Sequence, residues 1–312
     1  MKATVISTVY NQAPFLPQMI ESVLCQQTDF EFEFIIANDC SSDDSAEIIS
    51  RYAQNNRCIK FVDNPNNLGF IRNYAQCLEQ AAGKYIATLG GDDFWIDSKK
   101  LQMQVDFLEK NPDYGMVHTQ FDELFMYKKF MQPQYQKNAQ KTDPILQGDI
   151  FYRLVVNNTI NAISVCYAKS IIQKSGLIQK FKKQEFMIED LPLWLQISRT
   201  HKVGYIDKST VCYRRNKDSA SHFGDIEKYK EYMDYVKSIS LSFLSREEIE
   251  SPSLKDAFLQ TECLSYTYFY FKKGDLKSFK KYYFKLERKT LDRIVMLWVL
   301  SLNMSFLFNG RC

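Results

Sequence analysis

The sequence predicts an α/β protein with a mostly parallel, Rossmann-like sheet flanked by helices and a helical C-terminal extension. Strand-like and helix-like segments alternate over residues 1–120. Each crossover between parallel strands must cover one face of the sheet, so this alternation indicates helices on both faces. From residue 225 onward the pattern is only helical and is rich in aromatic residues, which predicts the extension.

The individual elements follow from their hydrophobic periodicity. Four strands are predicted, at "ATVISTVY", "FEFIIA", "CIKFV" and "KYIATL". Helical spacing of apolar residues predicts the helices between and after them, at "FLPQMIESVLCQQ", "AEIISRYAQ", "FIRNYAQCLEQAA" and "SKKLQMQVDFLEK". A fifth strand is predicted near "GMVHTQF", whereas residues 122–147 are polar and irregular, and no regular structure is predicted for them.

Composition narrows the functional class. The chain has 312 residues, 45% of them hydrophobic, which suffices for one large domain or two modest ones. A net charge of +3 gives no reason to expect a nucleic-acid partner. The eight cysteines lack metal-like spacing and predict reduced thiols in a cytoplasmic protein. The N-terminus resembles a strand and not a signal peptide, so export is not expected.

Polar residues follow three of the predicted strands. They are Thr8, Tyr10 and Asn11 after the first strand, Asn38 and Asp39 after the second, and Asp92 and Asp93 after the fourth. Ligands of parallel sheets bind beyond the carboxyl ends of the strands, where these residues should converge. No GxGxxG or GxxxxGK[ST] motif is present. A tyrosine ring can stack on a base, and adjacent aspartates repel each other unless a cation or hydrogen-bond donors intervene. The pattern therefore predicts a nucleotide site with Mn²⁺ or Mg²⁺ bridging to a diphosphate.

Several motifs then resemble, in order, those of the family 2 glycosyltransferases, which are inverting enzymes with the A-type nucleotide-sugar fold. They are "VISTVYN", "IIANDCSSDDS", "NNLGFIRNYAQCLEQAAGKYIATLGGDDFW", "FMIEDLPLWLQIS" and "YRRNKDSAS". The resemblance covers about residues 3–222 and implies a set of nucleotide-binding residues: Thr8, Tyr10, Asn11, Asp39, Arg72, Asp92 and Arg214. It further implies Asp93 as the metal ligand, Asp190 as the catalytic base, and Glu189 as a residue that orients the acceptor or the base.

Three positions depart from the family pattern. Asn38 replaces an aspartate and so removes a charge. Gly90 stands where the family often has the leading acid of its Asp-x-Asp motif, which leaves the metal more dependent on Asp93. Asn216 replaces a frequent histidine and puts a phosphate contact there in doubt.

The resemblance and the helical C-terminal pattern together predict two regions of the chain with different functions. Residues 1–222 form the catalytic domain, with a nucleotide-binding part (1–120) and an acceptor-binding part (121–222), and residues 223–312 form a helical region. The expected reaction moves a sugar, expected to be UDP-linked, to a glycan acceptor. A polyprenyl-linked acceptor, as in bacterial surface-polysaccharide synthesis, would place the enzyme on the inner face of the cell membrane.

The C-terminal sequence leaves two interpretations open. In "FKKGDLKSFKKYYFKLERK" lysines alternate with aromatic residues, as on helices that lie on an anionic lipid surface. The alternative is a helix packed on the protein with a solvated lysine face. The apolar run at residues 293–308 is shorter than the roughly 20 residues that span a bilayer.

Other functions also fit parts of the pattern. The acidic pairs alone suit a glycoside hydrolase, which needs no nucleotide site, and the Glu189–Asp190 pair suits a simple helix cap. A nucleotidyltransferase also uses metal-binding acids, but the glycine-rich basic loop that it needs after the first strand is missing. Asn38 and Gly90 favour an inactive nucleotide-sugar-binding protein, whereas Arg72, Asp93 and Asp190 argue against it.

Overall fold

The structure is a computed structural model that describes residues 1–126, 134–136, 147–215 and 225–286. The chain divides into two compact units, Met1–His222 and Phe223–Cys312.

A mixed sheet forms the centre of the first unit. Its strands, within the described residues, are β1 Ala3–Val9, β2 Phe32–Asn38, β3 Ile59–Asp63, β4 Tyr85–Thr88, β5 Phe94–Trp95, β6 Tyr114–Phe125, β7 Gln134–Gln136, β8 Cys166–Ala168 and β9 Lys202–Arg215. Their order is β3-β2-β1-β4-β8-β6-β9-β5, and β7 pairs with β6. Strands β3, β2, β1 and β4 are parallel. Their carboxyl ends therefore lie at one edge of the sheet.

Helices connect and cover these strands. They are α1 Leu16–Leu24, α2 Ser45–Asn55, α3 Phe70–Gln80, α4 Lys100–Lys110, α5 Phe151–Val156, α6 Lys169–Lys174, α7 Leu177–Lys182 and α8 Asp190–Ser198, with a 3₁₀ turn at Ala162–Ser164. Helix α1 shows why they pack: Leu16, Met19, Ile20 and Val23 are fully buried along one face. Each such side chain contributes about 1.5–3 kcal/mol relative to exposure.

The prediction for residues 122–147 was wrong in two places, because β6 continues through Phe125 and β7 follows at Gln134–Gln136. Asp122 and Glu123 of β6 are buried, and each pairs with a residue of β9. Ser209 donates to Asp122 at 2.5 Å, and Arg215 forms an ion pair with Glu123 at 2.5 Å. Residues 127–133 and 137–146 lie outside the described residues.

The second unit contains the helices α9 Ile226–Ser242, α10 Arg246–Glu250, α11 Pro252–Lys273 and α12 Leu276–Tyr283. Aromatic stacking joins α9 to α11 through Tyr229 and Phe269, and α11 to α12 through Tyr270 and Tyr282. Among the described residues, no helix has both the length and the apolar character needed to cross a membrane.

Candidate active site

A cavity of about 430 Å³ opens at the edge where β1, β2 and β4 end. Four residues predicted from the sequence line it: Thr8, Tyr10, Asp39 and Asp92. Its volume lies within the range of about 300–1,000 Å³ that is usual for small-molecule sites. Tyr10 is 52% exposed, so its ring is available for stacking on a ligand.

Asp39 shapes one wall of the cavity. Its Oδ1 accepts a hydrogen bond from the Leu68 N–H at 2.8 Å, and its Oδ2 accepts one from the Gly69 N–H at 2.9 Å. Gly69 has a φ of +80°, a left-handed conformation that favours glycine. Oδ1 also accepts from Asn64 Nδ2 at 3.4 Å, so Oδ2 is the oxygen that can accept a further hydrogen bond. Asp39 therefore fixes the 68–69 loop and retains acceptor capacity towards a ligand.

Asn38 and Asn11 support the site from outside the cavity. Asn38 donates from Nδ2 to Asp63 Oδ1 at 2.7 Å, so an aspartate at position 38 would set two carboxylates side by side. Asn11, which was expected to bind nucleotide, is not among the lining residues. Its Oδ1 accepts from the Ser42 N–H at 2.8 Å, and its own N–H donates to Ser41 Oγ at 2.9 Å. Asn11 therefore ties the end of β1 to the loop after β2.

The two adjacent aspartates converge above Gly90. A Cβ atom at Gly90 would lie 2.7 Å from Asp93 Oδ2 and 3.3 Å from Asp92 Oδ1. Asp93 is only 2% exposed, and its Oδ1 accepts from the Arg214 N–H at 2.7 Å. Burial and the neighbouring charge of Asp92 raise the pKa of Asp93 well above its usual value. Position 90 therefore needs glycine, because a side chain would displace the carboxylates.

The two arginines that were expected to bind nucleotide contact other groups of the protein. Arg72 is exposed on α3 and donates from Nε to the Lys182 carbonyl at 3.2 Å. Arg214 is buried on β9, and its guanidinium lies 4.6 Å from the ring centroid of Phe94. Neither is among the residues that line the cavity. Asn216, the departure in the distal loop, lies outside the described residues.

Glu189 and Asp190 stand at the beginning of α8 and do not line the cavity. Asp190 accepts from the Leu191 N–H at 2.7 Å and from Asn158 Nδ2 at 3.1 Å, whereas the Glu189 side chain does not cap the helix. The segment that carries Asn158 continues to Ala162, whose carbonyl accepts from Thr88 Oγ1 at 2.6 Å. Thr88 ends β4, so this hydrogen bond anchors the segment at the edge that carries the aspartates.

Comparison with known proteins identifies the family. The sequence profile described as "Glycosyl transferase family 2" matches residues 4–166, from the second residue of β1 to the first residue of β8, and includes every residue that lines the cavity. The chain belongs to glycosyl transferase family 2. The resemblance inferred from the sequence motifs is thereby confirmed.

Curated relatives of this family 2 chain match it over different lengths. A putative glycosyltransferase, EpsE, of Bacillus subtilis is 29% identical over 224 residues, which are 70% of this chain and 74% of EpsE. An uncharacterized protein of Mycobacterium tuberculosis is 33% identical over 111 residues, which are 35% of this chain and 32% of that protein. This chain thus spans about a third of the length of the mycobacterial relatives that it matches.

Solved structures confirm the predicted A-type fold. The mannosyltransferase PcManGT from Pyrobaculum calidifontis, in complex with GDP-Man and Mn²⁺, aligns with a TM-score of 0.57 and 12% identity over 96% of this chain and 80% of its own. S. aureus TarS in complex with UDP-GlcNAc aligns with a TM-score of 0.53 and 15% identity over 90% of both chains.

The acidic pair of this family 2 chain fits a divalent cation. Asp93 Oδ2 and Asp92 Oδ1 approach the same point, and burial makes their mutual repulsion costly without a positive charge. Across the described residues, no cluster of three or more His, Cys, Asp or Glu side chains could hold a metal. Mg²⁺ and Mn²⁺ need only one or two carboxylates when water and phosphate oxygens complete the shell. Asp92 and Asp93 are therefore the residues that would hold the ion.

Two polar residues of the site had no signal in the sequence. Gln12 lines the cavity, and its Oε1 is buried without a hydrogen-bond partner among the described residues. Asn158 binds Asp190 from a segment 32 residues earlier in the chain. Both are ordinary loop residues in the sequence, and only tertiary contacts distinguish them.

The two carboxyl groups of the Glu189–Asp190 pair of this family 2 chain should differ in how readily they ionise. Burial raises the pKa of both carboxyl groups, and the charge of Asp190 raises that of Glu189 further. Backbone N–H groups lower the pKa of both groups, whereas the Asn158 amide lowers only that of Asp190. The ionised form is therefore favoured more at Asp190 than at Glu189.

This difference predicts the pH dependence of any reaction that uses Asp190 as a base. A base acts only when ionised, so kcat should fall as the pH decreases through the raised pKa of Asp190. We expect this acid limb above the pH at which an exposed aspartate titrates, measurable as kcat between about pH 5 and 9. Asn158→Leu removes a donor to the ionised form and should move the limb to still higher pH. An acid limb that Asn158→Leu leaves in place would contradict this role of Asn158.

Proposed function

We propose that this chain is a metal-dependent inverting glycosyltransferase that moves a sugar from a nucleotide-sugar donor to a glycan acceptor. The observation that carries the proposal is the convergence of the Asp92 and Asp93 carboxylates beside a cavity lined by Thr8, Tyr10 and Asp39. Donors of two kinds, UDP-GlcNAc and GDP-Man, are bound by the two structural neighbours. We expect a UDP-sugar here.

Residues around the cavity suit the two ends of such a donor. The exposed ring of Tyr10 offers a stacking surface for the base, and Asp39 offers acceptors to a base or ribose donor. Asp92 lies on the cavity wall, and we assign it to the ribose side of the donor. Bound Mn²⁺ or Mg²⁺ would supply positive charge against the developing charge of the leaving diphosphate.

Asp190 is the proposed base. An inverting displacement needs the acceptor hydroxyl deprotonated on the face of the sugar opposite the diphosphate. The start of α8 favours a negative charge at Asp190, and two hydrogen-bond donors hold its oxygens. Glu189, kept neutral, can donate a hydrogen bond that orients the acceptor or Asp190. We assign acceptor binding to residues 121–222.

Donor screening with product analysis tests this function. UDP-, GDP- and CMP-sugars with Mn²⁺ are scored by thermal shift and then by the nucleotide that is released. Stabilisation by one nucleotide class and slow release of its nucleoside diphosphate are expected. Release of pyrophosphate would identify a nucleotidyltransferase. Stabilisation without release in the presence of diverse acceptors would identify an inactive binding protein.

A lipid-linked glycan of a bacterial surface polysaccharide is the proposed acceptor, which places the enzyme on the cytoplasmic face of the membrane. Helix α12 supports this location. Lys277, Lys280 and Lys281 lie along it, and Leu276 and Phe284 at its two ends are 62% and 77% exposed. Lysines and exposed apolar side chains together suit the surface of an anionic bilayer.

Membrane association gives a direct prediction. Deletion of residues 271–312 should move the protein from the membrane fraction to the soluble fraction. A milder variant, with Lys277, Lys280 and Lys281 replaced by serine, should sediment less with vesicles that contain anionic phosphatidylglycerol, and high salt should reduce binding of the wild type. Replacement of three lysines outside α12, Lys60, Lys84 and Lys110, is the matched control. Equal sedimentation of both triple variants would contradict the proposal.

A further inference from the structure

Arg214 contacts both residues of the acidic pair. It is 4% exposed, belongs to β9, and is not among the residues that line the cavity. An arginine that binds the phosphates of a ligand should present free guanidinium N–H groups to the ligand site. The contacts of Arg214 show what its donors do instead.

Both the main chain and the side chain of Arg214 bind the acidic loop. The Arg214 N–H donates to Asp93 Oδ1 at 2.7 Å. Its Nη1 donates to the main-chain carbonyl of Asp92, and its Nη2 donates to Gln18 Oε1 on α1. One residue thus fixes one carboxylate directly and the backbone of the other, and it joins both to α1.

Two aromatic rings hold the guanidinium in this position. Its carbon lies 5.1 Å from the ring centroid of Phe15 and 4.6 Å from that of Phe94. Phe94 directly follows the acidic pair, and β5 pairs there with β9 through Phe94 and Cys212. Cation–π contacts of this kind are stronger in desolvated surroundings. Rotation of the guanidinium towards the cavity would lose these ring contacts and two hydrogen bonds.

We propose that Arg214 is a positioning residue that holds Asp92 and Asp93 convergent over Gly90 and does not contact the phosphates of the donor. Its buried positive charge also offsets part of the repulsion between the two carboxylates before a cation binds. This inference rests on the proposed function, because it takes the acidic pair to be the cation site. It differs from the role that the family resemblance implies, in which Arg214 binds the nucleotide.

Calorimetry of UDP binding, in EDTA and in Mn²⁺, separates the two roles. With Arg214→Gln, the Kd for UDP in EDTA should equal that of the wild type, and the Kd for Mn²⁺, measured by electron paramagnetic resonance of free Mn²⁺, should rise about 10- to 100-fold. Phe94→Leu keeps the guanidinium but removes one ring, so it should raise the Kd for Mn²⁺ by less and should also leave the Kd for UDP in EDTA unchanged. Arg51→Gln, at an exposed arginine of α2 that lies outside the cavity lining, is the control and should change neither.

The opposite pattern would overturn the inference. If Arg214→Gln weakens UDP binding equally in EDTA and in Mn²⁺ while leaving the affinity for Mn²⁺ itself unchanged, then Arg214 binds phosphate. Should Arg214→Gln fail to fold, the same pattern in Phe94→Leu decides. Failure of the proposed function looks different, since the wild type would then show no Mn²⁺-dependent gain in UDP affinity, and the role of Arg214 would fall with it.

Discussion

Asp190→Asn is expected to remove most of the sugar-transfer activity while the donor nucleotide still binds. The substitution keeps the shape of the side chain but removes the charge that accepts the proton of the acceptor hydroxyl. General base catalysis typically contributes about 10²- to 10⁴-fold, so kcat should fall by that factor. Asp190 does not line the cavity, so the Kd for UDP with Mn²⁺, measured by calorimetry, should match that of the wild type.

Glu189→Gln is the matched control for this experiment. Glu189 should already be protonated near neutral pH, because burial and Asp190 raise its pKa, so a neutral amide changes its charge little. Its effect on kcat should be much smaller than that of Asp190→Asn. Wild-type turnover by Asp190→Asn, or a larger loss from Glu189→Gln, would assign the base elsewhere.

Asp93→Asn should have opposite effects on stability with and without a divalent ion. The pKa of Asp93 is raised in the folded protein, so its contribution to stability is present below the unfolded pKa and is lost as the pH rises through the folded pKa. In EDTA at neutral pH the asparagine variant should therefore have a higher Tm than the wild type. An amide oxygen can still accept the hydrogen bond from the Arg214 N–H.

In Mn²⁺ and UDP the order should reverse. A ligand at about 100 times its Kd stabilises a protein by about 2.7 kcal/mol, and only the wild type should gain this from the ion. Asp92→Asn should lose the same gain but raise the Tm in EDTA by less, because Asp92 is the more exposed member of the pair. A Mn²⁺-dependent rise in Tm that survives in both variants would show that the ion binds elsewhere.

The parallel half of the sheet was predictable because its strands are buried on both faces. Such strands are nearly continuous apolar runs, as in β1 and β2, and each is followed by a recognisable helix. Strand β5 has two residues, and the far end of β6 carries Asp122 and Glu123. The burial of Asp122 and Glu123 depends on hydrogen bonds from Ser209 and Arg215, about 90 residues away in sequence. The local sequence pattern could therefore not reveal it.

The site was predictable where the main chain fixes a residue. Thr8, Tyr10, Asp39 and Asp92 directly end or follow parallel strands, so topology alone brings them to the cavity. The directions of long side chains were less predictable, because tertiary contacts determine them. Arg72 bonds to Lys182 across the surface, and Arg214 turns into the protein towards α1. Asn11 has a left-handed backbone conformation, and its side chain accepts a hydrogen bond from the loop after β2.

The cation site is the claim on which the proposed function depends, and diffraction from crystals that contain UDP and Mn²⁺ tests it most directly. Anomalous scattering from manganese locates the ion independently of any assumed ligand. We predict a single strong peak near the Gly90 position, about 2.1 Å from a carboxylate oxygen of the Asp92–Asp93 pair and from an oxygen of the diphosphate. Manganese bound away from this pair, or UDP bound in the cavity without manganese at saturating concentration, would contradict the claim.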